Sequence, residues 1–422
     1  MASTFGLREV ASFSTEGQRP KNWREGLNLL FPNGDLSLTG LTALGSDRTT
    51  DDPEYSYFEK DLEDQGGAFV VTEVYTDSLM ASKKTGTVAA GDVLYVKVPA
   101  AVEAHIRPMH VLMLVDQSDP TAKMLGKVTA TFSNAANSRI TIEVLVAVAT
   151  GIVNVTDYAD IVGTISPEGT ISPTGVTYEP TRYVNFTQIF KSPVEITGTA
   201  MNSRFRTGNV WTEMKREGLQ YHGLEMEQAM FFGEKTERVG TNGKKERTSQ
   251  GGISFVNENY STNVVDFPDD SALTWLQGGE DWFDEKLELL FRWGRRRKLG
   301  ICGNGAMLGI MKLAKNGADI NLTPKDIEFG ISVREWVTPF GTLLLNTHPL
   351  FTQRVYNTNT IFIVEPENIQ HVIMSGRDTV FQDNIQANDF DGQKAQWRTE
   401  MGFQWNHPKT MGYMTGVGLT GV

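Results

Sequence analysis

Between residues 182 and 233 the spacing of apolar positions changes from that of a strand to that of a helix, and the rest of the chain is read around this switch. Val184 and Phe186, then Ile189, Phe190, Val194 and Ile196 after Thr187, alternate with polar residues up to Gly198, as a half-buried strand does. Val210, Met214, Tyr221, Leu224 and Phe231 then fall at helical spacing, with Leu219, Met226 and Met230 as a second apolar stripe. The pattern predicts a helix from about Asn209 to Phe232, roughly 36 Å long at about 1.5 Å per residue. Glu213, Lys215, Arg216, Glu217, Glu225 and Glu227 supply its charged positions, and Gly233 stands where a C′ glycine belongs. Gly218 and Gly223 lie inside the helix, where each costs about 1 kcal/mol relative to alanine. They are the candidate packing positions, tolerated if another element approaches the backbone closely.

Upstream, residues 67–168 form the clearest internal unit. Lys127–Phe132 places Val128, Ala130 and Phe132 inward, and Arg139–Val148 does the same with Ile140, Ile142, Val144, Val146 and Val148. Asp92–Val98, Val111–Val115 and Ile161–Ile165 add short strands, separated by turn signals such as Gly91-Asp92. This spacing predicts a β-sandwich or barrel. Its aromatic residues are scattered, so no stripe supports a carbohydrate-binding module.

Downstream, Glu234–Gly252 reads as a polar loop and residues 253–280 carry little signal. A helix over Asp281–Trp293, stopped by Gly294, is followed by a strand at Leu299–Cys302 and a helix at Ala306–Lys315 ended by Asn316-Gly317. Strands follow at Val333–Val337, Thr342–Asn346 and Thr360–Val364, so this part reads as an α/β layer. Trp397, Thr399, Met401, Phe403 and Trp405 alternate along a last long strand, with a turn expected at Asn388–Gly392.

The segment NFTQIFKSPVEITGTA, followed by a charged helix ending LEMEQAMFFGE, resembles the major capsid proteins of tailed bacteriophages, and RDTVFQDNIQANDFDGQKAQWRTEMGFQW resembles the C-terminal peripheral hairpin of the same group. The likeness is carried by residues 180–240 and 325–420, thins over 1–60 and does not extend to 67–168. It implies an α+β chain with the Hong Kong 97 capsid fold. The expected parts are an N-terminal arm at 1–45, an extended loop at 46–66 and 169–198, and an inserted all-β domain at 67–168. A peripheral domain at 199–265 and 371–422 would hold the spine helix, and an axial domain would span 266–370. Within the arm, the spacing of Trp23, Leu27 and Leu30 allows a short helix around Asn22–Leu30. It implies a shell of pentamers and hexamers around double-stranded DNA, a separate scaffolding protein, portal and decoration proteins, and assembly in the host cytoplasm. An encapsulin-like compartment of the same fold is the alternative within this class.

Composition changes the picture in three places. A length of 422 residues predicts about two to four compact units. The net charge of −12 argues against a free nucleic-acid binder, because phosphate contacts need clustered Lys and Arg. A single cysteine, Cys302, excludes an internal disulfide framework. MASTFGLREVASFS lacks a basic region followed by an apolar one, so no signal peptide is expected, and no apolar run is long enough to span a membrane.

Candidate chemistry is thin. Gly303-Asn304-Gly305, with Gly309, sits between a strand and a helix, where a dinucleotide fingerprint lies, but Leu308 occupies the third glycine position. A dinucleotide-dependent enzyme is therefore the rival from another class. Asp389, Asp391 and Gly392 resemble a calcium loop, yet Ala387 and Arg398 stand where oxygen ligands are required. Six histidines form no H-E-x-x-H motif or close pair with Cys302, and Cys302 reads as a core filler. No catalytic residue, cofactor or metal is expected. Arg295, Arg296, Arg297 and Lys298 follow a helix C-terminus. They could serve the helix dipole, pair with acids of another subunit, perhaps in Asp51–Asp64, or face DNA. Arg295, Arg296, Arg297, Glu59 and Lys60 are the candidate subunit contacts.

Overall fold

The computed structural model describes residues 46–419, apart from positions 61–68, 72, 86, 118, 120, 135–136, 148–157, 172–174, 176, 178, 206–207, 316–321 and 329–330. The arm expected at 1–45 and the helix stop at Asn316-Gly317 lie outside the described residues. The chain divides into two compact units: residues 58–181 form one, nested between the two segments 1–57 and 182–422 of the other.

In the larger unit, a five-stranded sheet orders Ser46–Thr50, Ile369–Met374, Gly392–Trp405 and Gln188–Thr197, with Val380–Gln382 also paired to Gly392–Trp405. The strand predicted after Thr187 pairs antiparallel with Gly392–Trp405 over its whole length, from Gln188↔Met401 to Thr197↔Gly392. Its alternation holds: Phe190, Ser192, Val194 and Ile196 are buried, and the residues between them face out. The helix Val210–Phe232 crosses this sheet, with Asn209 accepting from the Trp211 and Thr212 N–H groups as its N-cap. The two periods agree. Gly218 meets Val194, and one turn later His222 meets Ser192. Four helical residues advance about 6 Å, close to the roughly 6.6 Å of two strand residues.

A seven-stranded sheet orders Val264–Asp266, Gly412–Thr415, Ile361–Val364, Arg297–Cys302, Thr342–Thr347, Ile331–Val337 and Leu322–Glu328. Its central strand Ile361–Val364 is apolar and buried throughout because both faces of the sheet are covered. Phe362, Val364, Leu299, Ile301 and Leu344 enter one core, shared with Phe190, Phe231, Phe403 and Trp405 of the helix and five-stranded sheet. Ile361, Ile363, Leu343, Leu345 and Cys302 enter a second core, against helices Trp275–Phe291 and Asn304–Lys315. The division expected at 370/371 does not follow the sheets, since Gly412–Thr415 is an inner strand of the seven-stranded one.

Several local expectations are corrected. Tyr221 and Leu219 of the long helix are exposed, whereas His222 and Glu227 are buried, because polar partners await them in the sheet and at His348. Gly233 is extended (φ −65°, ψ 144°), not left-handed. An added Cβ would stand 2.5 Å from both the Ala229 and Ser249 carbonyl oxygens, so the glycine serves close backbone approach. Glu234–Gly252 is no plain loop. It carries a hairpin, Thr236–Val239 with Lys245–Thr248, laced by Glu237 with Lys245 and Arg247. The helix expected at Asp281 begins at Trp275, behind a capping box of Thr274 and Gln277.

In the unit 58–181, seven strands make one sheet in the order Phe69–Val70, Tyr158–Thr164, His110–Val115, Lys123–Phe132, Arg139–Val146, Val93–Lys97 and Glu73–Tyr75. The first and last strands are separated by only two residues of chain. A link from Val70 to Glu73 spans at most about 11 Å, so the first and last strands lie near each other and the sheet is strongly curled, in the manner of a small barrel. Leu94, Leu112, Leu114, Met124, Val128, Ile140 and Ile142 fill it. Ala130, Phe132 and Val146, expected inside, are exposed. The pairing register shifts near each of them, between Leu125 and Gly126 and between Val128 and Ala130, and a one-residue shift turns a side chain to the other face.

Candidate assembly surfaces

The polar residues of NFTQIF build a junction. Asn185 is buried; its carboxamide donates to the Phe403 carbonyl (2.7 Å) and the Gln250 carbonyl (3.3 Å) and accepts from the Gln250 N–H (2.8 Å). The Thr187 N–H donates to the Pro53 carbonyl (2.8 Å) and its hydroxyl to Glu400 (3.3 Å). Gln188 accepts from the Ser249 N–H (3.2 Å). Tyr55 and Tyr57 donate to the Phe403 and Trp405 carbonyls, both at 2.7 Å. Burial pushes the Tyr55 phenol well above its ordinary range, so it stays a donor. Four side chains, Asn185, Gln188, Tyr55 and Tyr57, thus satisfy backbone groups where four chain segments meet, which a strand pattern alone does not reveal.

The long helix is fastened by buried polar contacts. His222 is fully buried; Nδ1 lies 2.9 Å from the Ser192 hydroxyl and Nε2 lies 2.7 Å from the Thr399 hydroxyl. Burial holds its pKa below the ordinary imidazole value. Ser192 also donates to Glu225 (3.2 Å). Serine, histidine and carboxylate are present, but the carboxylate binds the serine and both imidazole nitrogens are taken by hydroxyls, so nothing orients the ring as a base toward an open nucleophile. One turn on, Glu227 accepts from His348 Nε2 (2.8 Å), while His348 Nδ1 accepts from the Leu350 N–H. Gly218 lies where an added Cβ would stand 2.8 Å from Val194 Cγ2. Gly223 is buried.

The basic run divides by burial. Lys298 is fully buried and donates to Glu365 (2.6 Å) and to the Thr410 (2.9 Å) and Trp293 (3.0 Å) carbonyls. Desolvation lowers its pKa, opposed by the hydrogen bond and charge of Glu365. Glu365 also accepts from the Arg295 N–H (2.8 Å). The Arg295 guanidinium pairs with Glu367 (2.5 Å). Arg296 and Arg297 are exposed, as is Lys60, and Glu59 is half-buried.

The other candidates are structural. At Gly303 an added Cβ would meet the Thr358 carbonyl oxygen at 2.3 Å, and the Ala306 N–H already donates to that oxygen (2.9 Å). Gly309 packs on Gly418. The chain itself occupies the helix N-terminus that a pyrophosphate would need. Burial pushes the Cys302 thiol up to about 12, and it donates to the Asn346 carbonyl, as a core thiol does. Among the described residues, no group of three or more His, Cys, Asp or Glu is placed to hold a metal ion, and no helix is long and apolar enough to cross a membrane.

The sequence matches the model of the SU10 major capsid protein family over residues 9–418. The chain belongs to that family. It is a major capsid protein, a structural protein of the virion shell, and the resemblance read from its sequence to tailed-phage capsid proteins is borne out. It is similar to the major capsid protein of Pseudomonas phage PaMx41, 24% identical over 410 residues, covering 92% of this chain and 90% of that one. Among solved structures it is similar to the capsid of a native GTA particle (8% identity, 97% of this chain and 99% of that one, TM-score 0.45). It is also similar to Mycobacterium phage Cain (10% identity, 99% and 98%, TM-score 0.42). These likenesses are distant, and the family assignment rests on the sequence match.

Proposed function

We propose that many copies of this capsid protein associate as pentamers and hexamers and close into an icosahedral shell that encloses double-stranded DNA, assembled in the host cytoplasm. The observation that carries the reading is the family match across residues 9–418. The architecture is of the Hong Kong 97 kind. Val210–Phe232 is the spine helix of a peripheral domain built on the five-stranded sheet, and the seven-stranded sheet with its helices is the axial domain. The barrel is an insertion in the extended loop. The acidic balance suits the role, since a chain of net charge −12 encloses DNA without clamping it. A separate scaffolding protein, a portal and decoration proteins complete the assembly.

Electron microscopy of the expressed protein, alone and with the scaffolding protein of its phage, tests this. Closed shells with five- and six-fold capsomers are expected. Soluble monomers only, in both conditions, would overturn the reading. Particles that co-purify with an enzyme cargo and no DNA from infected cells would point to an encapsulin-like compartment instead.

A further inference from the structure

The loop Trp293–Arg297 is held in place from below. Lys298 grips its first carbonyl, at Trp293, and Glu365 grips the Arg295 N–H. Gly294 takes φ +79°, and an added Cβ there would stand 2.1 Å from Glu365 Oε1. Burying an ion pair is costly and seldom adds net stability. Here it fixes the backbone of a surface loop, and a preorganised loop loses less entropy when it binds.

The loop presents cations and one aromatic ring. Trp293 is 37% exposed, and Lys409 lies 4.9 Å over its ring. Arg292 pairs with Glu288 and Arg295 with Glu367. Arg296 is exposed and, among the described residues, its side chain has no ion-pair or hydrogen-bond partner. Trp and Arg are the residues that carry most binding energy at protein interfaces. Two acids within the patch, Glu288 and Glu367, would face the phosphates of DNA, so a protein partner fits better.

The same unit carries a complementary surface. Asp51, Asp52 and Glu54 are exposed, and among the described residues none has an ion-pair partner. Their turn is also fixed. Asp52 accepts from the Glu54 N–H (2.9 Å), Thr50 donates to the Asp52 carbonyl (2.9 Å), and Pro53 accepts from Thr187. We propose that Trp293–Arg297 of one copy seats on the Asp51–Glu54 turn of a second copy. This rests on the capsid reading above.

A charge-swap cycle tests it, with closed particles counted by sedimentation and microscopy. Wild-type shells, which the capsid reading requires, are the reference; their absence would fail that reading and not this one. R295E/R296E and D51R/D52R should each reduce closed particles at least tenfold, while the soluble subunit keeps its circular dichroism and melting temperature. Combining the four substitutions should restore most of the yield. A milder pair, R295S/R296S, guards against misfolding and should lower yield most at low salt, the difference from wild type shrinking at high salt, where surface pairs are screened. Normal yield from the single-surface variants, or no restoration in the combination, overturns the proposal. Normal shells that retain less DNA in R295E/R296E would overturn it in favour of a nucleic-acid contact.

Discussion

Replacing Gly218 with alanine sets two effects of known size against each other. Alanine in a helix interior is favoured over glycine by about 1 kcal/mol. The new Cβ would lie 2.8 Å from Val194 Cγ2 and 3.5 Å from Trp397 Cδ1. Val194 is buried and β-branched, so its rotamer is stiff, and overpacking of this kind costs about 1–3 kcal/mol. G218A should therefore be neutral to destabilising by about 2 kcal/mol. V194A removes the obstructing methyl and costs about 1.5–3 kcal/mol on its own. In that background G218A should become stabilising, by up to about 1 kcal/mol. The sign reversal is the decisive quantity, a coupling of about 1–3 kcal/mol between residues in contact. Urea unfolding of the dilute, unassembled subunit, followed by helical circular dichroism, measures all four variants. If G218A changes stability by the same amount in both backgrounds, the close approach of helix and strand is not what holds glycine at this position.

Further outcomes follow from the buried polar groups and from the barrel. G218L and G223L should both reduce shell yield, and full assembly of both would make these glycines incidental. Removing one partner of the Lys298–Glu365 pair, as in E365L, should cost about 3–5 kcal/mol, whereas K298M/E365L should recover most of it, as read by thermal unfolding. His222 has a folded pKa below its unfolded one. Its burial costs nothing where both states are neutral and destabilises as the pH falls below about 6.5, where the unfolded chain takes up protons first. Denaturation midpoints from pH 8 to 5 should fall less steeply in H222Q, and an unchanged slope would remove His222 from the account. Residues 58–181 expressed alone should give a β-rich species with a cooperative melt, and a disordered fragment would refute it.

The fold was legible where one face of an element meets water. The strand after Thr187 alternates because only Phe190, Ser192, Val194 and Ile196 face the helix. Legibility failed where polar groups are buried. The helix looked amphipathic with Tyr221 inward, yet the sheet offers hydroxyls to His222 and leaves Tyr221 63% exposed. The start of Trp275–Phe291 was obscured by Gly278 and Gly279, two poor helix formers. They are there because an added Cβ on each would stand under 3 Å from Leu273 or Trp275. For the candidate surface, the basic run was visible as charge, but which member turns inward was not. Lys298 is drawn inward by Glu365, 67 residues away, and by the Thr410 carbonyl, and no local pattern carries such distances.

The barrel's place in the chain has a consequence for how such proteins change. The main unit loses the chain at Tyr57 and regains it at Arg182, through Glu54–Glu59 and Thr181–Phe186, which pair with each other. Paired strands lie about 4.8 Å apart, so everything between them enters and leaves through one narrow gate. Among the described residues, the two cores of the main unit contain none from inside that gate. A recombination event could exchange the whole cassette for a tight turn, or for any domain with neighbouring termini, without asking either core to be repacked. Selection on what lies beyond the gate is thereby uncoupled from selection on the frame that holds it.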